Sequence, residues 1–265
     1  MNVLKKLFLA VVLLLFSSSS FATVFLHSPV EAKVSGNERI QLGKVTAGQT
    51  IVVVIEKKSE KAEKWDSVFV DASLLPLGWG YDVKVAGETI TTEIIVPKGA
   101  KVASQRINLK ALNSRQPELA DAFFADVSVV GPENVFTAGI DLSRVETRLG
   151  EKVLLNITIS NNSIATASFL LSSNLPSQWL QARELTVEPQ STKTFSLGIN
   201  PLVYGKRNAV VALSSEQNGF SEGFAFELNV FPTIAGKFQA PFFGLPFFSL
   251  TLWPYYLVNS LLSLL

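Results

Sequence analysis

The strongest constraint on the fold of this chain is a motif that recurs about 100 residues further on. The segment Leu75–Trp79 (Leu-Pro-Leu-Gly-Trp) returns as Leu175–Trp179 (Leu-Pro-Ser-Gln-Trp). Further landmarks keep nearly the same offset: Gly48 and Gly150, Val85 and Val187, Pro97 and Pro201, Leu112 and Leu213. A repeat of this length predicts two similar modules in tandem.

Between the two ends of the chain, short apolar runs alternate with turn residues. In Val153–Ser160, Leu155, Ile157 and Ile159 share one side, while the intervening residues are polar. A period of two is typical of a half-buried strand. The mostly apolar run Ile51–Glu56, which follows Gly48, is a second predicted strand. Strong helical periodicity is absent from this region. The pattern therefore predicts an all-β protein built from two tandem sandwiches.

Each copy ends in a strand-like segment, Phe124–Val130 in the first and Phe224–Val230 in the second. The polar turn Gly131–Asn134 lies between the copies and is predicted to be a linker. We therefore predict one immunoglobulin-like sandwich over residues 24–132 and another over residues 133–236. The chain has no cysteine, so packing rather than disulfides must hold each module together.

The order of these features resembles the alpha-galactosidase-associated (NPCBM-associated) immunoglobulin-like domain family. In each copy a Gly-led strand pair precedes Leu-Pro-x-x-Trp, and Val-containing and apolar strands follow it. The resemblance covers most of residues 45–130 and 145–232. Related modules occur in tandem on prokaryotic, especially archaeal, surface proteins. The resemblance implies a seven-stranded sandwich that serves as a spacer or an accessory module.

Residues 1–22 have the pattern of a secretory signal peptide. Lys5 and Lys6 form the positive region, Leu7–Phe16 is an unbroken apolar run, and Ser20-Phe21-Ala22 fits the cleavage pattern. This segment predicts export across the cytoplasmic membrane. Its removal would leave 21 basic and 22 acidic residues. A nearly neutral chain lacks the concentrated basic face that nucleic-acid binding uses, so we expect no nucleic-acid partner.

The C-terminal segment 240–265 is uncharged and long enough to span a membrane. It contains Trp253, Tyr255 and Tyr256, which favour the membrane interface, but Pro254 would interrupt a helix. We expect this segment to tether the protein to the membrane on its extracytoplasmic side. The alternatives are a tail that packs on a partner protein and a tail that is removed in favour of a lipid.

Few aromatic or polar residues stand out as candidates for ligand contact. Trp79 and Trp179 could stack on a sugar ring, although equivalent positions in two repeats favour a structural role that closes each sandwich. Phe123 and Phe124 could contribute to an exposed aromatic cluster, as could Phe220. Asn156 and Asn161 each begin an Asn-x-Ser/Thr tripeptide, so we treat both as candidate glycosylation sites.

The sequence contains no recognisable catalytic constellation. His27 is the only histidine, and without cysteine there is no thiolate ligand or nucleophile. Glycine-rich phosphate loops and a Gly-x-Ser-x-Gly elbow are also missing. We therefore expect neither an enzyme nor a bound cofactor or metal.

These features predict a non-catalytic, membrane-tethered surface protein that acts as a structural spacer or a binding module. One alternative is an adhesin-like module whose loops recognise an envelope glycan or a protein. Another is an accessory subunit whose tail packs against another membrane protein. An assembly chaperone with two sandwiches would leave the hydrophobic tail unexplained.

Overall fold

The computed structural model of the protein describes residues 23–58, 65–116, 120–233 and 253–262. The predicted signal peptide, residues 1–22, lies outside the described residues. The described chain divides into two compact units. Unit 1 contains the residues up to Gly43 together with Thr50–Val96 and Ala103–Ser128. Unit 2 contains Lys44–Gln49, Pro97–Val102 and the residues from Val129 onward.

Unit 1 consists of two sheets. The first sheet has the strand order β2-β1-β4-β7-β6 and the second has the order β3-β9-β8-β5. The strands are β1 (Thr23–Ser28), β2 (Ala32–Ser35), β3 (Arg39–Val45), β4 (Thr50–Glu56), β5 (Ser67–Val70), β6 (Gly80–Ala86), β7 (Thr89–Ile95), β8 (Ala103–Leu112) and β9 (Asp121–Val129).

Alternation of side chains along these strands builds the core of unit 1. On β4, Ile51, Val53 and Ile55 are fully buried, because alternate side chains of a strand point to the same face. Phe123 of β9 contributes from the second sheet. Trp65, just before β5, is also buried, and its indole nitrogen has no hydrogen-bond partner among the described atoms. The buried tryptophan of this unit is therefore Trp65, which the sequence did not single out.

Unit 2 also has two sheets, with the strand orders β10-β12-β15 and β11-β17-β16-β13-β14. The strands are β10 (Phe136–Ile140), β11 (Arg144–Arg148), β12 (Val153–Asn161), β13 (Ala167–Ser173), β14 (Arg183–Val187), β15 (Ser191–Ile199), β16 (Gly205–Ser214) and β17 (Ser221–Phe231).

The predicted alternation on β12 is confirmed. Leu155, Ile157 and Ile159 are fully buried and pack with apolar side chains of the other sheet. Three phenylalanines meet edge to face in this core, with ring centroids 5.2–5.7 Å apart: Phe136, Phe169 and Phe220. Such contacts between aromatic rings add about 0.5–1.5 kcal/mol each beyond the burial of apolar area. Packing alone thus fills this cysteine-free core.

The strand order assigns an immunoglobulin-like fold to both units, because their sheets are paired in the same way. One sheet contains β1-β4-β7 or β10-β12-β15, and the other contains β9-β8-β5 or β17-β16-β13. Both units have more than the seven strands that the resemblance implied. A separate strand near the start, β3 or β11, pairs with the last strand of its unit in the second sheet. In unit 1, β2 also forms a hairpin with β1.

The two units differ in the strand that follows the Leu-Pro-x-x-Trp corner. In unit 1 this strand is β6, which pairs with β7 in the first sheet. In unit 2 the corresponding strand, β14, pairs with β13 in the other sheet. The difference leaves β15 as the outer strand of its sheet.

The unit boundary falls between Ser128 and Val129, close to the predicted linker, where Pro132–Asn134 form a 3-10 helix. The predicted membrane segment, residues 240–265, is described only over the ten-residue helix α1 (Trp253–Leu262). Within the part of the chain that the structure describes, no helix combines the length and apolar character that a membrane-spanning helix requires.

Candidate functional site

The Leu-Pro-x-x-Trp corner has the same local geometry in both units. The Trp79 amide donates to the Pro76 carbonyl over 3.0 Å, and the Trp179 amide donates to the Pro176 carbonyl over 2.8 Å. Trp179 is only 4% exposed, whereas Trp79 is half-buried. Trp179 therefore closes its sandwich. Contact of Trp179 with a ligand stays a prediction, and Trp79 keeps only part of its surface accessible.

Trp179 forms part of the wall of a groove of about 560 Å³ in unit 2. The groove lies where the corner, the start of β14 and the end of β15 meet. Its lining residues are Gly150, Lys152, Gln178, Trp179, Leu180, Gln181, Ala182, Arg183, Leu197, Gly198 and Asn200. Two cations and three amide side chains thus line the groove, and none of these described lining residues is acidic.

Close contacts hold the two cations in place. Lys152 crosses directly over Gly198, since a Cβ at that position would lie 2.1 Å from the Lys152 Cε. Gly198 therefore makes room for the lysine. Arg183 donates from Nη2 to the Ser196 carbonyl over 3.1 Å. This bond uses one of the five N–H donors of the guanidinium and leaves the others available to a ligand.

A third cation lies next to the groove. The Arg207 guanidinium sits 4.9 Å from the centre of the Trp179 ring, within the range of a cation–π contact. None of the three cations, Lys152, Arg183 and Arg207, forms an ion pair with a carboxylate in the described part of the chain. No described carboxylate is therefore in ion-pair contact with these three cations.

The phenylalanines named from the sequence do not form an exposed cluster. Phe123 is 1% exposed and Phe220 is 8% exposed, so both belong to their cores, and the prediction of ligand contact is wrong for them. Phe124 points to the other side of β9 and is half-buried. The Arg106 guanidinium lies 5.8 Å from its ring centre and pairs with Asp126 over 2.8 Å. The structure therefore gives Phe124 an intramolecular partner.

The two candidate glycosylation sites differ in accessibility. Asn161 is fully buried, and its Nδ2 donates to the carbonyls of Ala165, Val187 and Glu188. An amide that is already engaged in this way leaves no space for a glycan on the folded unit, so the prediction for Asn161 is wrong. Asn156 is half-buried, and its Nδ2 donates to Asp141 over 2.8 Å. Modification of Asn156 stays a prediction.

Two carboxylates of unit 1 have shifted pKa values. A hydrogen bond from the Ser114 hydroxyl lowers the pKa of Asp66. Burial raises the pKa of Asp121, although the Gly36 amide donates to its Oδ1 over 2.8 Å.

In the described residues, no group of three or more histidine or acidic side chains could hold a metal ion.

A second cavity of unit 2, of about 620 Å³, is open to solvent near the start of β10 and the start of β17. Phe136 and Phe220 lie at its base, and Glu133 and Glu222 lie among its lining residues. Glu133 accepts a hydrogen bond from the neighbouring Asn134 side chain over 3.0 Å. The groove beside Trp179 is the better candidate site, since it gathers amide side chains and cations that have no ion-pair partner among the described residues.

No family model matches the chain, and no curated protein matches it. Fibronectin type III-like modules of Clostridium thermocellum CbhA are 15% identical over 79% of this chain and 94% of that chain, with a TM-score of 0.27. The D00-D0 domain of intimin is 13% identical over 77% and 98%, with a TM-score of 0.26.

A beta-glucosidase from Listeria innocua, in complex with glucose, is 12% identical over 37% of this chain, with a TM-score of 0.27. The match spans only 16% of the length of the glucosidase. At identities and TM-scores this low, the assignment of an immunoglobulin-like fold rests on the strand order of the two units.

Proposed function

We propose that this chain is a non-catalytic binding module displayed on the outer side of the cytoplasmic membrane, and that the groove of unit 2 recognises its ligand. The observation that carries the proposal is the set of cations around the groove, Lys152, Arg183 and Arg207, for which the described residues provide no carboxylate partner. Such a groove attracts an anionic ligand.

The lining of the groove favours a carboxylate-bearing glycan of the cell envelope as that ligand. Gln178, Gln181 and Asn200 can exchange hydrogen bonds with sugar hydroxyls. The guanidinium of Arg183 can bind a carboxylate through two parallel hydrogen bonds. The volume of about 560 Å³ suits a small number of sugar rings, in the range of about 300–1,000 Å³ that ligand sites occupy.

Calorimetry on the full-length protein tests this function with a trisaccharide of uronic acids and its carboxyl-reduced counterpart. We expect the acidic trisaccharide to bind and the reduced one to bind far more weakly. Arg183→Gln should weaken binding on the order of tenfold, because it removes a charge-assisted hydrogen bond. Arg148→Gln, at an exposed position of β11 outside the groove, is the matched control and should bind as the unaltered protein does.

Equal binding of both trisaccharides, or equal losses in the two arginine variants, would overturn the assignment of the groove. If neither trisaccharide binds, the modules serve as a spacer or recognise something other than an acidic glycan.

A further inference from the structure

The outer strand of the first sheet of unit 1, β6, has an open edge. In the described part of the chain, β6 pairs with β7 alone. Ala86 and Thr89 close a two-residue loop in which Gly87 has a φ of 52°. Facing residues that close such a loop exchange hydrogen bonds, and every second pair after them does the same. The backbone groups of Tyr81, Val83 and Val85 therefore point away from β7.

The side chains of β6 divide into an apolar side and a charged side. Tyr81, Val83 and Val85 lie opposite buried Ile94, Thr92 and Ile90 of β7, so they share the face that points to the core. Tyr81 is nevertheless 40% exposed and Val85 51% exposed. An edge strand with an exposed apolar side is a template for pairing with another strand.

The charged side carries Asp82 and Lys84. The Lys84 ammonium lies 3.4 Å from Asp82 and 2.8 Å from Glu93 of β7. Asp82 and Lys84 stand at equal distances on either side of Val83, as do Tyr81 and Val85, and Gly80 and Ala86. A second copy of β6 can therefore run antiparallel to the first with Val83 facing Val83. Asp82 then faces Lys84, Tyr81 faces Val85, and Gly80 faces Ala86.

The corresponding open edge of unit 2 is blocked. On β15, Lys193 lies opposite Ile159 and thus on the core side, and its Nζ reaches the Thr186 carbonyl over 3.4 Å. Arg183 donates to the Ser196 carbonyl of the same strand. Charged side chains of this kind prevent edge-to-edge pairing in natural sheets. The described residues provide no comparable block on β6.

We infer that β6 is a dimerisation strand that pairs antiparallel with β6 of a second copy of this chain, about a two-fold axis at Val83. In this register Tyr81 faces Val85 of the second copy, and Asp82 faces its Lys84. The free backbone groups of Tyr81, Val83 and Val85 then form about six hydrogen bonds across the axis. The first sheets of two copies join into one continuous sheet, with a self-complementary interface.

Cysteine cross-linking of the full-length chain tests the register, since the chain has no cysteine of its own. Facing residues of a non-hydrogen-bonded pair, such as Asp82 and Lys84 of the second copy, lie about 4.5 Å apart at Cα, within the span of a disulfide. A mixture of Asp82→Cys and Lys84→Cys chains should therefore cross-link on oxidation. Each variant alone should cross-link on the order of tenfold less, because identical positions are diagonal and about 7–8 Å apart.

Lys110→Cys, on an exposed position of β8, is the control and should give only the background level of cross-linking. Equal cross-linking in the mixture and in each single variant would overturn the register. Absence of cross-linking above the Lys110→Cys background in the mixture would overturn the dimer.

Charge reversal tests the same interface without a covalent link. Two Asp82→Lys chains, or two Lys84→Asp chains, bring like charges face to face, which should weaken self-association on the order of tenfold. A mixture of the two variants restores both opposite-charge pairs and should associate as strongly as the unaltered chain in sedimentation velocity. Association of either variant alone at the unaltered strength, or no recovery in the mixture, would contradict the pairing of Asp82 with Lys84.

Discussion

Asn161 shows how one buried side chain can organise a turn. Its Oδ1 accepts from both the amide and the hydroxyl of Ser163, and its Nδ2 donates to three carbonyls. Gln49 Nε2 reaches the same hydroxyl over 3.1 Å. A buried polar network of this kind is favourable only while every member keeps its partners.

We predict that Asn161→Ala lowers the free energy of unfolding by about 2–4 kcal/mol, because the Ser163 amide loses its acceptor and buried carbonyls lose a donor. Urea denaturation of the variant measures the loss. Asn156→Ala is the matched control on the same strand. Its side chain is half-buried and close to water, so we expect a loss below about 1 kcal/mol. Similar losses in the two variants would contradict the central role of Asn161.

Burial of the Asp121 carboxylate makes its ionisation unfavourable for folding, in contrast to the stabilising buried amide of Asn161. Because the pKa of this group is raised in the folded state, the folded state binds its proton more tightly than the unfolded state does. Ionisation therefore costs folding free energy as the pH rises from below the ordinary carboxyl pKa through the raised one. The hydrogen bond from Gly36 offsets part of that cost.

At the scale of elements, the two units differ in the connection that follows β6 in unit 1 and β14 in unit 2. In unit 1 the two-residue loop Gly87–Glu88 joins β6 to β7, and glycine at the first loop position suits a tight hairpin turn. In unit 2 the connection is Glu188-Pro189-Gln190, in which Pro189 has no amide to donate. The tight turn keeps β6 beside β7, while β14 pairs with β13 instead.

The equivalent glycines Gly48 and Gly150 allow a matched prediction. Both have a positive φ, 81° and 78°, but a Cβ on Gly48 would lie 1.9 Å from the Gln217 carbonyl oxygen, while a Cβ on Gly150 meets nothing within 4 Å. Both positions belong to unit 2. We expect Gly150→Ala to cost about 1–2 kcal/mol through backbone strain alone.

Gly48→Ala should cost about 1–3 kcal/mol more, because a backbone carbonyl cannot move aside as a flexible side chain can. Thermal or urea unfolding of the two variants measures the difference. Equal costs would show that the turn of Gly48 relaxes away from Gln217.

At the scale of the whole molecule, the proposed location depends on the two ends of the chain. Alkaline carbonate extraction of membranes tests the tether with the full-length chain and with a chain that stops after Gly236. We expect only the full-length chain to stay in the membrane pellet, because its uncharged C-terminal segment is long enough to enter the bilayer. Release of both chains into the supernatant would show that residues 240–265 do not anchor the protein.

The sequence alone predicted the two repeats, the all-β class and the buried face of β12. These features are local, because alternation along a strand and turn residues are visible in a short window. The equivalent corner turns of Trp79 and Trp179 also followed from the repeat. The alternation near Phe124 indicated the last strand of unit 1, although it did not reveal which of the adjacent Phe123 and Phe124 faces the core.

Only the tertiary structure decided which sheet each strand joins when the two repeats have corresponding strands. The sheet that β6 or β14 joins depends on pairing with distant strands, and that choice creates both the groove beside Trp179 and the open edge of β6. Burial of Asn161 likewise depends on carbonyls up to 27 residues away. The sequence pattern determines which side chains of a strand share a face. Long-range pairing determines which of those side chains are buried, which cations lie near one another and which strand edge stays exposed.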